Sequence, residues 1–315
     1  MNEILGIHHV TAITGNAQDN LDFYTLVLGM RLVKKSVNQD VPDTYHLFFA
    51  DANGTPGTDL TFFPWADSPS VQSGVGLAME VSLAIPPGSA SYWRERLTDL
   101  GAKMIGEEDR RGELALTLQD PFGQPLALVE TGDARDFAAW DRSPVPAEHQ
   151  IRGLHAVRLW ERDVALTGNF LVHVLGFKSM GEHSGWHRYG VGTGGSGKHV
   201  DIREIPSAER GRWGVGGIHH IAWRVADDAA ELAVRDRIQN AHRRPTEVID
   251  RFWFHSVYFL EPGGVLFEIA TDGPGFAIDE SADTLGEHLV LPPWLEPRRG
   301  EIEAALPALS VRTNA

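Results

Sequence analysis

The sequence predicts an α+β fold of four βαβββ modules, arranged as two curved mixed-sheet funnels with helices outside. Three observations carry this prediction. A Gly–apolar–His–His motif recurs along the chain; a helix-period apolar pattern ending at glycine follows it; about three short strands with Pro–Gly turns come next. Gly6-Ile7-His8-His9-Val10 returns as Gly217-Ile218-His219-His220-Ile221. A weaker copy is Gly153-Leu154-His155-Ala156-Val157, and a faded one is Gly76-Leu77-Ala78-Met79-Glu80-Val81.

The first module spans about 4–65. Its helix carries Phe23-Tyr24 and Val27-Leu28 before Gly29, and its last strand follows Pro56-Gly57 as Leu60-Thr61-Phe62-Phe63. The second, about 74–131, keeps Trp93, Leu97 and Leu100 before Gly101, then turns at Asp120-Pro121-Phe122-Gly123 into Leu126-Ala127-Leu128-Val129. Residues 132–150, with Pro144 and Pro146, read as a linker dividing an N-terminal half (1–140) from a C-terminal half (150–315). The third module, about 151–205, repeats the helix as Phe170-Leu171 and Val174-Leu175-Gly176. Its Gly-rich stretch 190–197 places His183, His187 and His199 in loops; no helix-period pattern follows, so it is not a dinucleotide fingerprint. The fourth, about 215–272, turns at Pro262-Gly263-Gly264 into Val265-Leu266-Phe267-Glu268-Ile269. A Pro-punctuated tail from 274 carries a short helix near Arg298–Leu306. One unit of roughly 60–70 residues buries too little surface to stand alone, so units are expected to pair.

Composition narrows the function. Forty-three acidic against 28 basic residues give a formal charge of −15. That balance argues against nucleic-acid partners and anionic membrane surfaces. No run reaches the roughly 20 apolar residues of a spanning helix, and the first residues lack a signal-peptide pattern. With zero Cys, disulfides, thiolate zinc sites and a Cys nucleophile are excluded, in keeping with a cytoplasmic protein. The composition leaves room for a homo-oligomer. Fourteen His, several paired, stand out.

Three polar residues interrupt apolar strands: His9, His220 and Glu268. Side chains alternate along a strand, so one member of each His pair is expected to face an inner site and the other the opposite side. The third module keeps the first His (His155) but has Ala156 second, which makes the second position the metal ligand and the first a supporting residue. Glu268 lies inside Leu266-Phe267-Glu268-Ile269-Ala270, where an ionised carboxylate needs a partner or a metal. Its repeat counterparts read as Phe62 and Ala127, so the carboxylate is an addition at one copy. Two imidazoles and one carboxylate form a facial triad, with open positions on Fe(II) or Mn(II). Glu130 reads as a solvated strand end, and His46 as a satisfied strand histidine, with a place lining the cavity as the alternative. Phe62, Trp65, Trp223 and Phe267 are candidate pocket walls or core.

The chain resembles the vicinal oxygen chelate superfamily (glyoxalase, bleomycin resistance and extradiol dioxygenase proteins), and within it the ring-cleaving dioxygenases that open hydroquinones. The resemblance covers essentially the whole chain. Its specific parts are Gly6-Ile7-His8-His9-Val10-Thr11-Ala12-Ile13, Lys34-Lys35-Ser36-Val37-Asn38-Gln39-Asp40 and Tyr45-His46-Leu47. Further parts are Pro56-Gly57-Thr58 through Thr61-Phe62-Phe63-Pro64-Trp65, Gly217-Ile218-His219-His220-Ile221-Ala222-Trp223, and Leu266-Phe267-Glu268-Ile269-Ala270-Thr271-Asp272 with Pro274-Gly275-Phe276. It implies His9, His220 and Glu268 as iron or manganese ligands. It also implies that His8, Thr11, His219, Arg251 and Tyr258 surround the metal and a bound aromatic diol. Arg251 and Tyr258 are seven residues apart, so both reach one pocket only through a bulge or bend. His255 is a secondary candidate.

The triad has an architectural consequence. His9 belongs to the first module, His220 and Glu268 to the fourth, so modules 1 and 4 must lie side by side and modules 2 and 3 pair with each other. The expected reaction is insertion of dioxygen into a hydroquinone-type (para-diol) ring, with His8, His219 or Tyr258 exchanging the proton. Rivals are a glyoxalase-type isomerase or lyase, a catechol-cleaving extradiol dioxygenase, and a non-catalytic small-molecule binding protein. The first wants a second carboxylate where this chain has Phe62. The last has no use for Glu268.

Overall fold

The computed structural model describes residues 3–310. The first module comprises β1 (Ile4–Thr14), α1 (Ala17–Asp22), β2 (Arg31–Val37), β3 (Tyr45–Ala50) and β4 (Asp59–Pro64). The second comprises β5 (Leu77–Ile85), α2 (Ala90–Asp99), β6 (Lys103–Arg110), β7 (Glu113–Gln119) and β8 (Pro125–Glu130). The third comprises β9 (Gly153–Glu161), α3 (Val164–His173), β10 (Lys178–His183), β11 (Trp186–Gly190) and β12 (His199–Glu204). The fourth comprises β13 (Gly217–Val225), α4 (Asp228–Asn240), β14 (Ile249–Asp250), β15 (Phe254–Leu260) and β16 (Leu266–Pro274). In the tail, α5 (Arg299–Ala305) falls where a short helix was expected.

Two eight-stranded mixed sheets result. One runs β14-β15-β16-β13-β1-β4-β3-β2, the other β10-β11-β12-β9-β5-β8-β7-β6. Modules 1 and 4 therefore share a sheet, and modules 2 and 3 share the other, as the triad required. Within each module the first and last strands run parallel, with the helix as crossover; β1 meets β13 and β5 meets β9 antiparallel at the centres. This places the three chemically distinctive residues on adjacent central strands, β1, β13 and β16.

Local chemistry starts the helices. Asn16, Asp163 and Asp227 accept hydrogen bonds from backbone amides of the first turns of α1, α3 and α4. In α2 Ser89 makes no such bond; Glu130 Oε1 accepts from the Ala90 amide at 2.6 Å instead. Glu130 is thus a helix cap rather than a solvated strand end. Its neighbours in sequence gave no sign of this, because the cap crosses from β8 to α2. Gly6, at φ 152°, lies so close to the Gly197 carbonyl that a Cβ would sit 2.6 Å from that oxygen. Ile7 donates its amide to the same carbonyl at 2.8 Å, tying the start of β1 to the third module.

One apolar core runs through both sheets and includes Trp93, Leu126, Leu159, Trp223 and Phe267. One expectation is corrected here, and of two open readings the core one holds for three residues of four. His183, His187 and His199 lie on β10, β11 and β12, not in loops, because β11 runs up to Gly190 and β12 starts at His199, so the Gly-rich turn lies between two paired strands. Phe62, Trp223 and Phe267 are fully buried core residues, whereas Trp65 stacks on Phe63 and meets the His219 ring edge-on.

Candidate metal centre

His9, His220 and Glu268 converge. Glu268 Oε2 lies 2.9 Å from His220 Nε2 and 3.3 Å from His9 Nε2, and the two Nε2 atoms are 3.2 Å apart. All three side chains are buried. Oε1 of Glu268 accepts the Ser256 hydroxyl at 2.5 Å, while Oε2 has no aligned hydrogen-bond donor. An ion bonded at about 2.1 Å to three donors at right angles holds them about 3.0 Å apart. The three donor atoms fit such an ion, and the orphaned buried oxygen is what such an ion would satisfy. Burial pushes the Glu268 carboxyl up, but the imidazoles of His9 and His220 outweigh it and hold it well below the usual carboxylate range. Burial lowers His220 despite the pull of Glu268, so it favours a neutral imidazole with a lone pair for a metal.

The histidine pairs do not split between faces. His8 Nδ1 lies 2.9 Å from His9 Nδ1, and His219 Nδ1 lies 2.8 Å from His220 Nδ1. The pairing of β1 with β13 slips at three places, two of which leave His8 and His219 each as the extra residue of a bulge. A bulge breaks alternation, and the first histidine turns back against the second. Burial lowers His8 and His219 to about 3, with the adjacent His9 and His220 adding to it, so both are neutral. A neutral acceptor at Nδ1 of the first histidine takes the Nδ1–H of the second, which leaves Nε2 of His9 and His220 bare.

A cavity of about 390 Å³, its open mouth included, lies over the triad. Its walls include His46, Phe48, Phe63, Trp253, Phe254 and Tyr258, with Arg251 and the segment 38–40 at the edge. Arg251 and Tyr258 reach the same cavity because the chain bends at Phe252, at φ 73°, and the pairing of β15 with β16 breaks between Phe254 and Ser256. The Arg251 guanidinium lies 5.4 Å over the Tyr258 ring and pairs with Asp40 at 3.0 Å. Burial opposes the charge of Arg251, but Tyr258 and Asp40 prevail and its pKa rises. Burial, helped by Glu268, raises Tyr258, so its phenol keeps its proton.

Thr11 is buried two residues beyond His9 on β1, its hydroxyl 2.7 Å from Thr61, which in turn meets His46 Nε2 at 2.9 Å. His255 points away, its Nδ1 2.7 Å from Asp228. His46 is satisfied by Thr61 and also lines the cavity, its ring tilted against Phe48 and Phe63 at centroid distances of 3.9 and 4.4 Å. Burial, followed by His9 and His220, holds His46 well below its ordinary value. Asn38, Gln39, Phe48, Trp253 and Phe254 also went unread as cavity residues. The periodicity of Phe252-Trp253-Phe254-His255 carried no mark of the bend that turns them inward.

Register corrects the repeat counterparts of Glu268. Glu268 stands opposite Ala222, and the matching partners of the other modules are Thr61 opposite Thr11, Ala127 opposite Ser82 and Asp201 opposite Arg158. The counterpart in module 1 is therefore Thr61 rather than Phe62, because the turn into β16 is one residue longer. The carboxylate is not unique to module 4 either. Asp201 is held by Arg188 at 2.7 and 2.9 Å, so a guanidinium occupies both of its oxygens, whereas Glu268 keeps Oε2 free.

These sheets and this site define a class, and the comparisons agree. The chain belongs to the Glyoxalase/Bleomycin resistance protein/Dioxygenase superfamily, whose family model matches residues 6–128. MhqO of Bacillus subtilis (strain 168), named as a ring-cleaving dioxygenase, is 40% identical over 308 residues, 98% of this chain and 97% of that protein. A chlorohydroquinone/hydroquinone 1,2-dioxygenase of Sphingobium indicum is 32% identical over 94% of each chain. Among solved structures, a Bacillus subtilis protein described as a dioxygenase superposes with a TM-score of 0.92 at 39% identity, covering 100% of both chains. Glyoxalase I from Zea mays shares the fold at a TM-score of 0.63 and 15% identity, over 85% of this chain and 92% of that one.

Proposed function

We propose that the protein is a ring-cleaving dioxygenase for a hydroquinone-type aromatic diol, with Fe(II) or Mn(II) held by His9, His220 and Glu268. The observation that carries this reading is the convergence of three donor atoms at 2.9–3.3 Å, one of them a buried carboxylate oxygen without a hydrogen-bond donor, beneath an aromatic cavity. The relative in Sphingobium indicum, whose name specifies hydroquinones, supports the substrate class.

Such an ion, when bound, supplies Lewis acidity toward a phenolic hydroxyl and open positions for dioxygen. The chain's own residues do the rest. Phe48, Phe63, Trp253 and Phe254 hold a single aromatic ring between them and exclude water from it. Tyr258, kept protonated, donates a hydrogen bond from its Oη to oxygen on the substrate, and Arg251 fixes that phenol from above. His8 and His219 hold the ligand imidazoles in one tautomer; their Nδ1 atoms are committed to that task, which leaves Tyr258 as the proton-exchanging group among the three considered. His46, with Nε2 on Thr61, keeps Nδ1 as its remaining atom for a proton. A glyoxalase-type reaction is disfavoured, since the place of its second carboxylate is the uncharged Thr61.

The test is dioxygen uptake by anaerobically purified, Fe(II)-loaded protein, with hydroquinone, catechol and a hemithioacetal in parallel. The expected result is about one dioxygen per hydroquinone consumed. Turnover of the hemithioacetal without uptake on any diol overturns the reading.

A further inference from the structure

Away from the triad, where the first turn of α4 packs on β15 and β16, lies a second group of potential ligand atoms. Asp228 and Glu231 are three residues apart and share one face of α4, and His255 at the start of β15 meets them. One ligand atom from each lies within 4.8 Å of the others. An acidic cluster by itself implies nothing, but Glu231 is anomalous. Its side chain is fully buried, and neither carboxylate oxygen has a hydrogen-bond partner. A carboxylate taken out of water without donors must be neutralised, by a proton or by a cation. Burial pushes Glu231 up to about 7, with Asp228 and Glu268 adding to the rise and His255 opposing it. His255 does not complete the balance: its Nδ1 is engaged by Asp228 at 2.7 Å, and Asp250 lies 4.0 Å from its Nε2.

We propose that Asp228, Glu231 and His255 bind a second divalent cation, one imidazole nitrogen and two carboxylate oxygens forming its protein ligands. That donor set suits Zn(II) or Mn(II) and lacks the all-oxygen shell of calcium. The site opens outward, because the Asp228 carboxylate is exposed and His255 partly so. Asp228, on the exposed side, would exchange its bond to His255 for the ion, while Glu231 is held in place by burial. The ion would pin α4 to β15 one residue before Ser256, whose hydroxyl holds Glu268. The proposal rests on none of the ring-cleavage chemistry.

Equilibrium dialysis against Zn(II) alone tests it, using the full chain, Glu231→Gln, Asp228→Asn, Glu268→Gln and the Glu231→Gln/Glu268→Gln double variant. The wild type should hold two ions per chain and each Asp228 or Glu231 variant one. Glu268→Gln should keep one ion and gain thermal stability when Zn(II) is added, and the double variant should lose both properties. Asp228→Asn alters an exposed side chain, so it carries the test even where Glu231→Gln fails to fold. Two ions in Asp228→Asn or Glu231→Gln, or none in Glu268→Gln, overturns the proposal. A single wild-type ion that only the Glu268 substitution removes overturns it as well.

Discussion

His8 and His219 each touch the imidazole that follows them, a contact that regular strand alternation forbids and a bulge allows. They therefore orient the His9 and His220 Nε2 atoms, the proposed metal ligands, without facing the cavity. Replacing His219 with Ala should weaken metal binding about 10- to 100-fold while the fold persists, the usual cost of losing a partner behind a ligand; competition with a metal-binding dye reads this. Glu268→Gln and His220→Ala should go further and leave one ion fewer per chain than the wild type, as elemental analysis after anaerobic loading would record. Retained stoichiometry in either variant would identify other ligands. Tyr258→Phe keeps the ring against His220 and removes only the phenol, so kcat should fall by about 10²-fold with KM less affected, as expected for a donor that acts in the transition state. His9, His220 and Glu268 could be picked out in the sequence because each places a polar group inside an apolar strand, and the third module has Ala156 where the first and fourth have His9 and His220. His46 could not. It too interrupts an apolar strand, and only its place on the cavity wall beside Phe48 and Phe63 distinguishes it from a satisfied core residue.

At the scale of elements, the end of β9 meets the turn between β15 and β16, and two carboxyl groups are placed together there. Glu161 is raised to about 8, chiefly by burial and then by Glu261, which itself accepts bonds from Thr167 and Val265. In the unfolded chain Glu161 loses its proton near 4.5, before the folded protein does. Stability is therefore highest below that pH for this group and falls as pH rises from about 4.5 to about 8, after which the loss is complete. Glu161→Gln should remove the loss: on the order of 2 kcal/mol more stable than the wild type at pH 9 and little different at pH 4, by urea denaturation. Element existence was legible from periodicity and glycine stops, and α2 ends before Gly101 as that pattern implies. Register was not. The one-residue slip from Phe62 to Thr61 arises from a longer turn before β16, and the bend at Phe252 has no sequence signature beyond its flanking aromatics.

The whole molecule closes with its tail. Lys34 on β2 is fully buried, with Nζ 2.6 Å from Asp279 and 2.5 Å from Glu280, while Arg31 donates to the backbone of Ala282, Asp283 and Leu285. Leu291, Leu295 and Ile302 pack with Val37, and Trp253 donates its indole N–H to Asp279 at 2.8 Å. A cavity-lining residue is thus held partly by the tail. Lys34→Ala would leave two acids without their buried cation, and should destabilise by about 3–5 kcal/mol in chemical denaturation, with loss of activity following the loss of Trp253 support. Among the described residues no helix is long and apolar enough to cross a membrane.

By itself the sequence determined the four-module repeat, the residue types of the triad and, through their addresses in modules 1 and 4, which modules share a sheet. Those features are written in local periodicity and in the cost of putting an acid or imidazole into an apolar strand, both of which a linear reading can weigh. Tertiary structure alone decided the walls of the cavity, the turning of His8 and His219 onto their neighbours, the guanidinium that occupies Asp201, and the clasp of the tail on Lys34. Each depends on where bulges and bends set the register between strands distant in the chain. A shift of a single residue there reverses which side chains face one another, and no local pattern records it.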